Sequence, residues 1–419
     1  MSKVSRRAFL AGTASAGALT VAAVARSGGD GDPARIASEG EAGGPRYLPF
    51  RGAHQIGVTG PVGSLPAGAA MLAAFDVTAE DREHLAATLR DLSDEIEGLM
   101  TGRPYEERDP SLPALHTGAL GVQPVPTELS VVVSVGASLF DDRFGLADRK
   151  PRELVAMPFM ANDRLDPART HGDLLLQLSA DSPDACLFAL RQLMRRTRAG
   201  MVLRWTVEGF NRRDADATAD GAPVRNLLGF KDGTENLPVD DDRTLDRFVW
   251  VADGDDEPAW TVGGSYQAVR VIRMLVEFWD RAPLGEQEAI IGRRKGTGAP
   301  FTGQKETDEP DFTSDPEGKI TPLDAHIRLA NPRTKETEGN KILRRGFSFS
   351  RGFDGSGALD QGLAFVSYQR SLERGFLAVQ NRLNGEPLEE YIRAEGGGFF
   401  FALPGVTAGG GWLGEGLLA

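Results

Sequence analysis

Residues 173–210 read DLLLQLSADSPDACLFALRQLMRRTRAGMVLRWTVEGF, and this stretch decides the fold. Asp173–Ser179 is a short apolar run with the length of a strand. Asp181-Ser182-Pro183 opens a helix, with proline at a first-turn position, and the helical pattern continues to about Arg198. Met201–Phe210 returns to β-branched and aromatic residues, a second strand. Upstream, Ala67–Val77 alternates weakly and predicts a strand. Thr78-Ala79-Glu80-Asp81 has the pattern of a capping box. Leu85, Leu89, Leu92, Ile96 and Leu99 then follow at helical spacing. Leu129–Val135 (LSVVVSV) is another strand, ended by Gly136. Strand, helix, strand, strand, helix, strand is the order of a ferredoxin-like split βαβ unit. Such a unit has an antiparallel sheet with its helices on one face.

Downstream, a similar order returns with larger insertions. Asn211–Ala222 is polar, the composition of a linker or surface loop. Gly264–Phe278 reads as a long strand with Arg270 and Arg273 set among apolar residues. Pro283–Ile291 starts a helix, Ile342–Phe349 and Leu363–Tyr368 are strands, Leu372–Leu383 is a helix, and Gly398–Leu403 is a final strand. The expected class is α+β, with two ferredoxin-like (split βαβ) domains over residues 49–212 and 213–419. Two long polar loops, Arg293–Asp315 and Asn331–Asn340, interrupt the second half; loops of that length are often functional.

At 419 residues the chain exceeds one typical core. Its 41% hydrophobic and 26% charged residues are those of a soluble globular protein, and a net charge of −13 disfavours nucleic acid as a partner. The single cysteine, Cys186, lies in an apolar helical pattern and reads as a buried structural thiol. No CxxCH occurs, so covalent haem attachment of the c type is excluded. Residues 1–25 carry Ser5-Arg6-Arg7-Ala8-Phe9-Leu10, an Ala-rich run and the small residues Ala23-Val24-Ala25. This reads as a twin-arginine signal peptide rather than a membrane anchor, for which the run is too short and too rich in Ala, Gly and Thr, and the expectation is export to a periplasmic, cell-envelope or extracellular location. Residues 26–48, rich at first in Gly, Asp and Glu, are the expected disordered linker.

The five histidines are His54, His84, His116, His171 and His326, and none is paired at zinc-site spacing. A site needing one imidazole remains, and haem is the common cofactor of that kind. His326 lies in DAHIRLANPRTKETEGNKILRRGFSFS, residues 324–350, where Arg344 and Arg345 follow at the edge of an apolar segment. A lone histidine is more often a satisfied core or surface residue than a ligand. On motif shape alone, Asp232, between Gly229 and Gly233, reads more readily as a turn aspartate supporting a tight loop than as a catalytic carboxylate.

From about residue 50 onward the chain resembles the dye-decolourising (DyP-type) haem peroxidases, closest to a twin-arginine-exported subgroup associated with iron uptake. The resemblance rests on ordered motifs. These are Gly229-Phe230-Lys231-Asp232-Gly233, Asp324-Ala325-His326-Ile327-Arg328, Lys341-Ile342-Leu343-Arg344-Arg345-Gly346, Leu363–Gln369 and Gly396-Gly397-Gly398-Phe399-Phe400. It implies a dimeric α+β barrel-like pair of domains, with haem b held mainly by the second. It implies His326 as the axial iron ligand. Asp232 and Arg344 would stand where peroxide binds, and Leu363 and Phe365 would line that side. Glu390 is the implied partner of the His326 ring N–H, with Glu389 an equal alternative. Arg328 and Arg270 are candidates for the haem propionates.

The implied activity is reduction of hydrogen peroxide through a high-valent iron-oxo state, with oxidation of dyes, phenols or other organic donors. The alternative is an exported haem protein of iron acquisition, oxidising ferrous iron or handling haem iron. An iron-uptake permease complex and a homo-oligomer are the candidate assemblies. Two departures stand out. Gly346 occupies a position that is asparagine in some members, and Glu235-Asn236-Leu237-Pro238 replaces the usual Glu-Asn-Pro. Trp260, Trp279, Tyr266, Tyr368 and Trp412 are candidate electron relays, although core packing explains most aromatics.

Overall fold

In the first half, β1 (Ala69–Val77), α1 (Arg82–Thr101), β2 (Ser130–Gly136), β3 (Leu174–Ala180), α2 (Pro183–Thr197) and β4 (Met201–Phe210) follow the expected order. The computed structural model describes residues 46–61, 66–121, 126–212 and 225–419. The twin-arginine segment, most of the 26–48 linker and most of Asn211–Ala222 lie outside these. Every pairing in this half is antiparallel, in the spatial order β2-β3-β1-β4. That is the split βαβ arrangement.

The second half repeats it with β5 (Ser265–Met274), the two-residue β6 (Leu343–Arg344), β7 (Phe347–Phe353), β8 (Leu359–Gln369) and β9 (Ile392–Ala402). Here the order is β9-β5-β8-β7, again antiparallel. β2 pairs with β9 and β4 with β7, while β5 pairs with both β8 and β9, so the sheet closes into a barrel. β8 gives one edge to β5 along its length, so β6 and β7 share its other edge.

Closure explains why the strands read as apolar runs. Ala70, Leu72 and Ala74 of β1 face the barrel interior with Val132, Leu175, Val269 and Phe400. Met71, Ala73 and Phe75 face the other way, with Leu85 and Leu89 of α1 and Phe188 of α2. Both faces are buried, which favours continuous hydrophobic sequence over alternation. The barrel also holds a satisfied polar group. Gln267 Nε2 donates to Gln177 Oε1 and Tyr368 Oη, and Ser134 Oγ donates to Gln267 Oε1.

Several boundaries differ from the sequence reading. Asp81, not Thr78, caps α1, accepting from the His84 N–H at 2.8 Å. β5 ends at Met274, and Val276–Trp279 is already a helical turn. Ile342–Phe349 is broken at Arg345-Gly346, where a Cβ on Gly346 would meet the Ala364 carbonyl at 2.9 Å. β9 begins at Ile392, well before Gly398. The helix after β8 starts as a π-turn, Glu373–Leu377, and becomes α-helical only over Ala378–Leu383.

Candidate functional site

The insertion between β5 and β6 carries α3 (Leu284–Ile291) and α4 (His326–Ala330). His326 is the first residue of α4, after the fully buried Ala325. Its Nδ1 lies 2.7 Å from Glu386 Oε2, and the Glu386 side chain is only 4% exposed. Nδ1–H therefore donates to the carboxylate, which leaves Nε2 without a hydrogen-bond partner among the described residues. Burial by itself would lower the imidazole pKa, but the Glu386 charge and hydrogen bond outweigh it and hold it above its ordinary value.

This corrects the expected partner. Neither Glu390 nor Glu389 reaches the ring. Both lie in the 3-10 turn Pro387–Glu390, and Glu390 is exposed. Glu386 precedes that turn in an extended conformation, φ −65° and ψ 151°, and points inward.

Across the site, the loop Asn226–Asn236 presents Asp232. Asn226 Oδ1 accepts from the Leu228 and Phe230 N–H groups. Gly229 (φ 85°) and Gly233 (φ 122°) take left-handed backbone that other residues adopt poorly. The glycines therefore shape the turn that carries Asp232. Lys231 and Thr234 both bind Glu306, and Glu235 takes Arg293 and Arg333. The long loops flagged in the sequence thus clamp the Asp232 loop.

Arg344, on β6, donates from Nη1 to Asp232 Oδ1 at 2.6 Å. Among the described residues, Asp232 Oδ2 has only a weak contact, Asn226 Nδ2 at 3.4 Å. The pair stays partly open, at 30% exposure for Arg344 and 24% for Asp232. The charges of Arg344 and Asp232 both act on the His326 ring, Arg344 lowering and Asp232 raising its pKa, so the three residues belong to one site. On β8, Leu363 and Phe365 are half-buried whereas Ala364 and Val366 are fully buried in the barrel. Leu363 and Phe365 therefore look outward, on the face where Arg344 pairs with Ser367.

The donor set fits haem iron: one imidazole with Nδ1 anchored and, among the described residues, Nε2 free, and a charged Asp–Arg pair in the same site. The propionate candidates do not fit. Arg270 is buried against Asp163, and Arg328 is held by Asp315 and the Thr321 carbonyl. Among the candidate relays, Tyr266, Tyr368 and Trp279 are wholly buried. Only Trp279 joins the apolar cluster of Leu228, Phe230 and Leu388 beside the site. Cys186 is buried as expected, and burial pushes its thiol up to about 12. Sequence reasoning missed Glu386, the Glu306 clamp, and Asn226 and Asn236.

A closed barrel of two split βαβ units, carrying a carboxylate-anchored histidine and an Asp–Arg pair in one site, defines a haem oxidoreductase. The sequence profiles "Dyp-type peroxidase, N-terminal" and "Dyp-type peroxidase, C-terminal" match residues 55–211 and 223–407. The chain belongs to this family and is a peroxidase, with haem as cofactor and hydrogen peroxide and an electron donor as substrates. A deferrochelatase of Escherichia coli (strain K12) is 50% identical over 371 residues, spanning 88% of this chain and 87% of the relative. Ferric DtpA from Streptomyces lividans superposes with a TM-score of 0.79 at 37% identity, over 90% of this chain and 98% of that one. A DyP-type peroxidase from Cellulomonas bogoriensis gives 0.78 at 35% identity, over 90% and 99%.

Proposed function

We propose that His326 binds the haem iron through Nε2, and that Asp232 and Arg344 act on peroxide at the opposite face. The observation that carries this is the His326–Glu386 contact at 2.7 Å, which engages Nδ1 and reserves Nε2, together with the Asp232–Arg344 pair of the same site. Haem held by His326 would supply the redox chemistry toward peroxide. The protein supplies the proton handling. Asp232 Oδ2, the less engaged oxygen, takes a proton from the inner peroxide oxygen and returns it to the outer one. The fixed charge of Arg344 stabilises the negative charge that builds on the outer oxygen as the O–O bond breaks, until the proton returned by Asp232 lets that oxygen leave as water. Leu363 and Phe365 exclude solvent and bulky donors from that face. Glu386 keeps the imidazole electron-rich. Export by the twin-arginine route, with Arg6-Arg7 as its signal, completes the reading.

The test is the visible spectrum of the haem-loaded protein before and after peroxide. Asp232→Asn and Arg344→Leu keep a near-normal Soret band, and each slows the reaction with peroxide by about 10²–10³-fold. Parent-like rates in both variants would mean that other residues handle the peroxide.

A second reading is favoured by the 50% identity to proteins named deferrochelatase. In it, the same pocket releases iron from haem and leaves the porphyrin intact, with two protons replacing the metal. Fluorescence of free porphyrin after anaerobic incubation with haem supports that reading. Faster turnover of ferrous iron than of dyes would support ferrous oxidation instead.

A further inference from the structure

β6 is two residues long, and β8 covers only one of its edges. The Arg345 N–H turns toward β8 and donates to the Val366 carbonyl at 2.8 Å. In an antiparallel strand the N–H and C=O of the preceding residue then point the other way, off the open edge. For Arg344 that edge is closed by a side chain. Asn236 Oδ1 accepts from the Arg344 N–H at 2.8 Å, and Asn236 Nδ2 donates to the Arg344 carbonyl at 2.9 Å. We infer that Asn236 is a positioning residue for the peroxide reaction, holding the Arg344 backbone so that its guanidinium meets Asp232.

The chemistry selects asparagine. A carboxamide presents an acceptor and a donor side by side, as the edge of a neighbouring strand would. A carboxylate could take the N–H but would repel the carbonyl, and an aliphatic side chain could do neither. Asn236 stands four residues after Asp232, on the same clamped loop, and its own N–H is tied to the Gly233 carbonyl at 3.0 Å. One loop therefore grips one arginine twice: Asp232 holds the guanidinium and Asn236 holds the main chain. An edge strand of two residues with an unsupported backbone would fray, because few contacts define it. With the Arg344 Cα fixed, only side-chain rotation is left to misplace the charge.

The proposal rests on the reading of Arg344 as a peroxide-facing residue, so the test has one arm that does not depend on it. In the haem-loaded protein, hydrogen exchange at the Arg344 amide is followed beside the stopped-flow reaction with peroxide. Asn236→Ala accelerates the exchange by at least about tenfold. It also slows the peroxide step by about ten- to a hundredfold, with KM for the electron donor unchanged. Asn236→Asp keeps the acceptor and loses the donor, so both effects are intermediate; this variant also serves if the alanine protein is poorly folded. In an Arg344→Leu background, Asn236→Ala costs no further rate.

Unchanged amide exchange in Asn236→Ala overturns the clamp. Faster exchange with a parent-like peroxide rate overturns the positioning role. An equal loss of rate in the Arg344→Leu background also overturns it, since the effect then passes through another group. A parent-like rate in Arg344→Leu alone overturns the reading of Arg344 itself, and the exchange arm still reports whether the clamp exists.

Discussion

Replacing Glu386 by Gln isolates the contact that sets the character of His326. The two side chains have nearly the same shape, and the Glu386 side chain is 4% exposed, so packing is preserved and one charge is lost. A hydrogen bond to a charged partner contributes about 1.5–3 kcal/mol, and a neutral one about 0.5–1.5 kcal/mol. The substitution therefore removes about 1–2 kcal/mol of preference for positive charge on the imidazole and whatever it binds. For a one-electron couple, 59 mV corresponds to a tenfold change in equilibrium, about 1.4 kcal/mol. Ferric iron draws on the anionic partner more than ferrous iron does. The expected result is a rise of the ferric/ferrous potential by about 40–90 mV, read by spectroelectrochemistry of the haem-loaded protein. Glu389→Gln and Glu390→Gln are the controls and leave the potential unchanged. A parent-like potential in Glu386→Gln, or an equal shift in Glu390→Gln, would refute the assignment.

Two further predictions follow from groups outside the site. Arg270 and Asp163 form an ion pair with side chains 6% and 1% exposed. Arg270→Leu strands a buried carboxylate and lowers stability by about 3–5 kcal/mol in chemical denaturation, with the Soret band of the folded protein unaltered. Loss of haem affinity at parent stability would instead return Arg270 to a propionate role. His171 titrates below its ordinary value of 6.5, through burial first and the Arg204 charge second. Its unfolded form therefore binds a proton before the folded form as pH falls, so this contribution to stability is full above about pH 6.5 and declines on acidification. His171→Asn suits the positive φ of 60° at that position and flattens the stability–pH curve between pH 7.5 and 5. An unchanged slope would place the acid sensitivity elsewhere.

The first half was legible because its signals are local: apolar runs of strand length, a proline at the first turn of α2 and leucines at helical spacing in α1. Barrel closure was not local. It depends on β2 meeting β9 and β4 meeting β7, and no residue in those strands advertises its partner. The site divides the same way. Asp232, His326 and Arg344 could be singled out by motif, yet the Asp232–Arg344 contact spans 112 positions and exists only once the barrel has formed.

Glu386 shows where a local signal was present and decisive. Three acids, Glu386, Glu389 and Glu390, lie within five residues, and composition does not choose among them. Pro387 does. The residue before a proline is driven out of helical backbone into extended backbone. Glu386 therefore had to leave the turn that the next residues form, and an acid on extended chain can reach across to a neighbouring element. Glu389 and Glu390, inside the turn, bend back along it. The backbone consequence of a proline thus selects the carboxylate that anchors His326. The same rule applied to Pro238 disfavours helical backbone at Leu237, the residue directly after the Asn236 that closes the edge of β6.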